Sequence, residues 1–322
     1  MTTLVHLSDP TNPSAFPDDL AGGAISIGNF DGVHLGHQAL LQELAGLAQQ
    51  VDGPAVAVTF DPHPASILRP ESAPTPLSTM ATRAERMSDL RISALVVCHT
   101  SREFLAQSAE NFFERLVVQG FRARGMVEGE NFFFGKDREG DLPLLNRLCD
   151  QNRVAFKVAN AFRQGEAMVS SSLIRRHLLA GEIDPVSRLY GNGRLHRISG
   201  VVSEGEKRGR TIGFPTANLH HVEVLLPRPG VYAARAITED GDSHAAAVHL
   251  GNNPTFAATS EAARSDKVEV HLIDFQGDLY GQRLSVDFID HVRNAEKFAS
   301  AEDLRRQLRK DIDQCRTIVT NH

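Results

Sequence analysis

The chain has 322 residues, of which 41% are hydrophobic and 23% charged, and its formal net charge is −6. At about 150 residues per domain, that length predicts two domains of ordinary globular composition. Net acidity with interleaved signs argues against a sequence-independent nucleic-acid binder, which needs a basic face, but allows a small anionic ligand in a local basic cluster.

The first half alternates strand-like and helix-like stretches. "AISIG" (Ala24 to Gly28) reads as a short buried strand, and Leu40, Leu41, Leu44 and Leu47 then fall on one helical face. "AVAVTF" (Ala55 to Phe60), stopped by "DPHP", and "ALVVC" (Ala94 to Cys98) are further strands. Ser108 is placed to cap a helix carrying Phe112, Phe113, Leu116 and Val117, with Gly120 as its stop. "GMVEG" (Gly125 to Gly129) and "AFKVA" (Ala155 to Ala159) are strand candidates, and "SSSLIRRHLLAG" reads as serine caps, a helix and a stop at Gly181. Strands alternating with helices imply a parallel sheet covered on both faces. The first twenty residues carry little signal.

The pattern changes near Pro185. From His196 to Val292 short alternating strands, among them "HRISGVV", "GVYAARAI", "HAAAVHLG", "VEVHLID" and "RLSVDFI", are divided by turn clusters. This predicts an antiparallel barrel or sandwich. The chain closes with a helix that Ser300 and Asp303 cap, its stripe of Leu304, Leu308, Ile312 and Cys315 packing on the barrel. Cys98, Cys149 and Cys315 lack metal-ligand spacing and read as reduced, buried thiols. "MTTLVHLSDP" carries no secretory pattern and no apolar run approaches the roughly 18 residues of a membrane span, so a cytoplasmic protein without membrane or nucleic-acid partners is expected.

"GNFDGVHLGH" (Gly28 to His37) lies between a predicted strand end and a helix start. In an open parallel sheet ligands bind there, and the helix N-terminus adds unpaired N–H groups and about half a positive charge, which favour phosphate. Gly28, Gly32 and Gly36 allow close backbone approach or positive φ. His34 and His37, three apart, can face one oxygen cluster. From the residues alone two readings stand: a polar surface loop, or a phosphate cradle. "GENFFFGKD" (Gly129 to Asp137) is not a Walker loop, because its spacing is wrong and Lys136 precedes Asp137 rather than Ser or Thr.

"H-L-G-H" after a first strand resembles the H-x-G-H signature of the nucleotidylyltransferase superfamily. The longer "GNFDGVHLGHQ" is similar to the bacterial bifunctional riboflavin kinase/FAD synthetase family, as are "TFDPHP" (Thr59 to Pro64), "GENFFFG" (Gly129 to Gly135) and "SSSLIR" (Ser170 to Arg175). In the last, Ser172 stands where that family usually has threonine. The resemblance implies a Rossmann-like nucleotidylyltransferase domain over residues 1–186, in which the phosphate of FMN attacks the α-phosphorus of ATP and pyrophosphate leaves. It implies His34, His37 and Arg175 in catalysis, Gly28, Asn29, Phe30, Gly36, Ser171 and Ser172 on ATP, and Asp61, His63 and Asn131 on the flavin side.

"KRGRTIGFPTANL" (Lys207 to Leu219) sets glycines and basic residues between two strands. Gly209 and Gly213 allow a backbone anion nest, and the Thr216 hydroxyl and Asn218 amide oxygen are hard ligands that suit Mg²⁺. The alternative is a plain basic hairpin loop. In "VEVHLID" (Val268 to Asp274) the alternation puts Glu269 and His271 on one face, and pattern alone makes Glu269 a solvated side chain. The string G-F-P-T-A-N resembles the riboflavin kinase motif and reverses that reading. It implies an antiparallel kinase barrel with a C-terminal helix over residues 187–322, with Glu269 as general base for the riboflavin 5′-hydroxyl. It also implies Lys207, Gly209, Arg210 and Gly213 on ATP, Thr216 and Asn218 on Mg²⁺, and Arg293 on the flavin. The substrates implied are riboflavin, FMN and ATP, with FMN as intermediate and FAD as product.

One departure stands out. Where that family passes into the barrel through a Leu-Gly-Arg-Pro-Tyr-like string, this chain has "LYGNGRLHRISG" (Leu189 to Gly200), without proline. An FMN adenylyltransferase with an impaired kinase is therefore the alternative reading. A third, an OB-like nucleic-acid binder, is opposed by net acidity and by scarce aromatics, with no Trp and three Tyr.

Overall fold

The most apolar short runs of the first half become the middle of a parallel sheet. In the computed structural model, which describes residues 1–203, 213–251 and 267–322, the chain divides into two units, Met1–Ser171 and Ser172–His322. In the first, strands β1 (Thr3–Leu7), β2 (Ala24–Ile27), β3 (Ala55–Asp61), β4 (Ala94–His99), β5 (Gly125–Gly129) and β6 (Ala155–Ala159) are parallel, in the order β1-β4-β3-β2-β5-β6. Strands β2 to β5 are buried along most of their length, which requires cover on both faces.

The cover comes from α1 (Leu35–Gln50), α2 (Pro64–Leu68), α3 (Met80–Ser88), α4 (Arg102–Leu105), α5 (Ala109–Phe112), which continues as a π-helical segment Phe113–Gly120, and α6 (Leu142–Asn152). On one face Leu41, Leu44 and Leu47 of α1 and Met87 of α3 pack with Ala57, Leu95 and Val97. On the other, Phe113, Leu116, Val117 and Leu145 pack with Ile25, Val56, Val96 and Met126. Ser108 caps α5 as expected, accepting from the Asn111 N–H. Strand β1 is an element the sequence reading lacked. It is a sheet edge with exposed and buried residues mixed, so it shows no apolar run. A short hairpin, β7 (Arg163–Gln164) and β8 (Ala167–Met168), follows β6.

Two helices lead into the barrel of the second unit: α7 (Ser171–Ala180), which begins at the unit boundary, and α8 (Ile183–Tyr190). Pro185 lies in the first turn of α8, where its missing N–H is no loss. Gly181 ends α7 at φ +79. Strands β9 (His196–Ser203), β10 (Ala217–His220), β11 (Gly230–Ile237), β12 (Ser243–Gly251), β13 (Lys267–Leu272) and β14 (Arg283–Asn294) close in the order β10-β13-β12-β11-β14-β9. Every neighbouring pair is antiparallel.

The proline-free junction leaves β9 regular. Gly191, Asn192 and Gly193 turn the chain at positive φ, and the fully buried His196 donates from Nε2 to the Leu225 carbonyl at 2.7 Å while its Nδ1 lies 3.3 Å from the Tyr190 hydroxyl. The last helix, α9 (Ala301–Asn321), is capped by Ser300. Its Ile312, Cys315, Ile318 and Val319 lie against Ala233, Ala245, Ala247 and Val292. Those alanines let the helix come close to the strands. The three cysteines are free and buried, and burial pushes each thiol up to about 12. Among the described residues no helix is long and apolar enough to cross a membrane.

Candidate active sites

In the first unit, strand order reverses between β2 and β5, and the crevice beyond the carboxyl ends of such strands is where open sheets bind ligands. Direct pairing of β2 with β5 covers only Ala24↔Gly125 and Ile25↔Met126. Further on, the Ile27 N–H donates instead to Glu128 Oε1 at 2.7 Å. Burial pushes that carboxyl well above its usual range, against the smaller opposing pull of the Ile27 hydrogen bond.

The segment from Gly28 to His34 leaves β2 into this crevice, and buried side chains take up its carbonyls. Asn29 O accepts from Arg83 Nη1 at 2.8 Å and Thr59 Oγ1 at 3.2 Å. Asp31 O accepts from Ser171 Oγ at 3.0 Å, Gly32 O from Arg86 Nη1 at 2.7 Å, and Val33 O from Gln38 Nε2 at 2.9 Å. The Asp31 carboxylate accepts the Leu77 and Ser78 N–H groups and pairs with Arg83 at 2.9 Å, with both side chains 7% exposed. A loop held this way can keep Phe30 and Val33 at φ 47 and 48 and Gly32 at 84, conformations that a free chain would leave.

His34 caps α1: its Nδ1 accepts from the His37 N–H at 3.3 Å. A neutral ring accepting at Nδ1 carries its proton on Nε2 and can donate from there. The His34 and His37 rings stack with centroids 3.7 Å apart. A Cβ on Gly36 would come within 3.2 Å of the His34 ring and of the Val169 carbonyl, so the close approach requires glycine. Burial first, then the nearby His34 and Arg83, hold His37 well below its usual 6.5. Its Nδ1 is buried without a hydrogen-bond partner among the described residues. An anion at the helix N-terminus would relieve both conditions.

The remaining expected residues sit at different depths, those up to Ser171 in the first unit and the others in the second. Phe30 is 2% exposed, packing against Gly28 and His37. Asp61 ends β3 and, with His6, Ser8 and His99, lines a cavity of about 470 Å³. His63 caps α2, its Nδ1 accepting from the Ala65 N–H at 3.0 Å. Asn131 is exposed in the turn after β5. In that turn Phe134 is core and Gly135 approaches Ala109 too closely for a side chain, so the segment packs as a structural turn. Ser172 and Arg175 lie on α7 in the second unit, Ser172 exposed and Arg175 half-buried. Asp31, Ser78, Arg83, Arg86 and Glu128 are residues that sequence reasoning missed. Two arginines on the buried face of the short α3 look like surface charge until the loop they hold is seen.

The second centre lies on the outer face of the barrel. Val268, Val270 and Leu272 are buried, so Glu269 and His271 face outward on the half-buried side of β13. In the ladder Asn218 stands opposite Glu269 from β10, and His249 opposite Glu269 from β12. Directly opposed residues share a face, so Asn218, Glu269 and His249 form one row, with Thr216 just before β10. Glu269 Oε2 accepts from His249 Nδ1 at 3.1 Å, and Oε1 pairs with Lys267 Nζ at 2.9 Å. Burial pushes the Glu269 carboxyl up, but the hydrogen bonds from His249 and Lys267 outweigh it and hold the group below its usual range. It is therefore ionised at neutral pH and fit to take a proton. His271 Nδ1 donates to the Pro215 carbonyl at 2.7 Å and fixes the approach to β10.

Gly213 has φ +88, and among the described residues nothing lies within 4 Å of where its Cβ would stand. Lys207, Gly209 and Arg210 lie outside the described residues. Arg293 donates to the Asp311 carboxylate at 2.8–3.1 Å and to the Asn294 carbonyl at 2.9 Å. Its guanidinium is thereby engaged with α9. Sequence reasoning singled out neither His249 nor Lys267: Lys267 shares a face with Glu269 two places along β13, whereas only the strand register puts His249 on Glu269. Among the described residues no group of three or more His, Cys, Asp and Glu forms a metal cage.

Residues 17–173 match the FAD synthetase family, and residues 192–319 the riboflavin kinase family. The chain is 31% identical to a bifunctional riboflavin kinase/FMN adenylyltransferase of Haemophilus influenzae over 94% of its own length and 96% of the relative's. For proteins so described it is 34% identical in Pseudomonas fluorescens, over 92% and 93%, and 32% identical in Escherichia coli K12, over 90% of each. A solved Streptococcus pneumoniae structure, described as a macrolide-efflux protein, superposes with a TM-score of 0.85 at 26% identity over 97% of this chain and 98% of that one.

Proposed function

The chain belongs to the bifunctional riboflavin kinase/FMN adenylyltransferase family, and we propose how its residues divide that work. It phosphorylates riboflavin to FMN with one ATP and adenylylates FMN to FAD with a second. The adenylyltransferase module spans residues 1–186 and the kinase module 187–322.

In adenylyl transfer a phosphate oxygen of FMN attacks the α-phosphorus of ATP. The bond from that phosphorus to the bridging oxygen breaks, and pyrophosphate leaves with the electron pair. Such a step asks for position and charge stabilisation rather than a covalent group. His34 and His37 hold ATP phosphates at the start of α1, with the backbone of Gly28, Asn29, Phe30 and Gly36 shaping the cradle. Ser171, Ser172 and Arg175 add phosphate donors, Arg175 as a planar fork. Asp61, His63 and Asn131 serve the flavin side, where Asp61 opens on a cavity of a size suited to ring systems.

In the kinase the riboflavin 5′-hydroxyl attacks the γ-phosphorus of ATP while Glu269 takes its proton, and ADP leaves. Lys207, Gly209, Arg210 and Gly213 serve that ATP. The Thr216 hydroxyl and the half-buried Asn218 amide fit Mg²⁺: they are hard oxygen donors beside the base, and no soft-ligand cluster competes among the described residues. When bound, the ion would neutralise phosphate charge. A cytoplasmic location goes with this reading and rests on the three unpaired thiols.

The observation that carries the reading is the register that sets Asn218 beside Glu269 on one unit, while the other unit holds a separate imidazole pair at a helix N-terminus. Product chromatography tests it, starting separately from riboflavin and from FMN with Mg·ATP. Riboflavin should give FMN and then FAD; FMN should give FAD and pyrophosphate. Absence of FMN from the riboflavin reaction would remove the kinase half.

A further inference from the structure

We infer that His249 is the residue that aims the kinase base. The inference rests on Glu269 being that base. A carboxylate on a half-exposed strand face can turn about its side-chain torsions, whereas a general base must present a lone pair within roughly 10–20° of the productive direction. Among the described residues, two neighbours restrain Glu269. Lys267 reaches Oε1 from two places along the same strand at 2.9 Å and is 39% exposed. Its ammonium is a point charge on a flexible four-carbon stem and sets no plane. His249 reaches Oε2 at 3.1 Å from the directly opposed position on β12. Its ring has only two torsions, and its backbone belongs to a strand whose Ala245 and Ala247 lie under α9.

Since a carboxylate only accepts, Nδ1 donates. Donation from Nδ1 requires no charge on the ring, so His249 orients Glu269 without competing for the substrate proton. With Oε2 held by the ring, Oε1, which also meets Lys267 Nζ at 2.9 Å, is the oxygen left to face the riboflavin hydroxyl. His249 is thus a positioning residue that acts through Glu269.

The test is steady-state riboflavin phosphorylation by the full chain with Mg·ATP, comparing His249→Leu, His249→Gln and Glu269→Gln. The His249 side chain is 43% exposed, so leucine leaves the barrel core intact, which a thermal unfolding curve checks. His249→Leu should lower kcat about tenfold while both KM values move less than about twofold, because alignment rather than binding is lost. His249→Gln, which keeps an N–H donor, should recover kcat to within about threefold of the parent. FMN adenylylation should be unchanged in both. An unchanged kcat in His249→Leu, or a loss that glutamine fails to restore, would overturn the inference. If Glu269→Gln itself left the rate intact, the base assignment would fall. If Glu269→Gln abolished phosphorylation while His249→Leu had no effect, only the positioning role would fall.

Discussion

The two centres proposed for ATP are held in place by opposite means. In the sheet unit the loop after β2 is pinned from below: Arg83 and Arg86 of α3 donate to its carbonyls, the Asp31 carboxylate pairs with Arg83, and the imidazoles sit at the helix start. In the barrel the working row is set by strand register on an outer face, and the side chains of Glu269, Lys267 and His249 are 23–43% exposed. The first is organised by burial, the second by the geometry of hydrogen-bonded strands. Damage to the first should spread into folding, whereas damage to the second should stay chemical.

The largest expected effect comes from the exposed row. Glu269→Gln should reduce FMN formation by about 10²–10⁴, the usual range for a general base, with FMN adenylylation and the melting temperature near the parent values. His37→Ala should lower only FAD formation, by roughly 10²–10³ for a lost charge-stabilising donor. A parallel fall of both activities in either variant would merge the two sites.

Next in size is a change of fold stability. Arg83→Met removes the ion pair with Asp31 and the donor to the Asn29 carbonyl, and breaking a buried pair from one side costs about 3–5 kcal/mol. Amide exchange in β2 and α1 should accelerate while barrel amides keep their rates. Equal protection in β2 and α1 would break the claim that the loop is pinned by this pair.

The smallest effect is one of pH. His37 is held below 6.5 in the folded chain, so as pH falls through 6.5 the unfolded chain takes that proton first. Its contribution favours folding above 6.5 and is lost below it. His37→Gln should therefore lessen the drop in melting temperature on acidification below pH 6.5. An identical slope in the variant would show that His37 is not the buried titrating group.

Much of the fold could be read from patterns that local physics imposes. Largely apolar runs at Ala24, Ala55 and Ala94 became central strands because only strands covered on both faces tolerate them. Ser108, Gly181 and Ser300 marked helix ends because unpaired backbone groups must be met there. Strand β1 escaped, since an edge strand half in water has no distinctive run. Arg293 shows what local spacing leaves out: its ion partner is Asp311, 18 residues away on α9.

The residue types at each centre, and the chemistry those types permit, were settled by the amino-acid order: glycines and imidazoles before a helix, a Thr-x-Asn before a strand, a carboxylate in an alternating run. Which side chains would hold them in place was not. Arg83 meets Asn29 across 54 positions, and His249 meets Glu269 across 20. Such pairings depend on how helices cover a sheet and on which residues stand opposed in a closed barrel, and one-dimensional spacing carries neither.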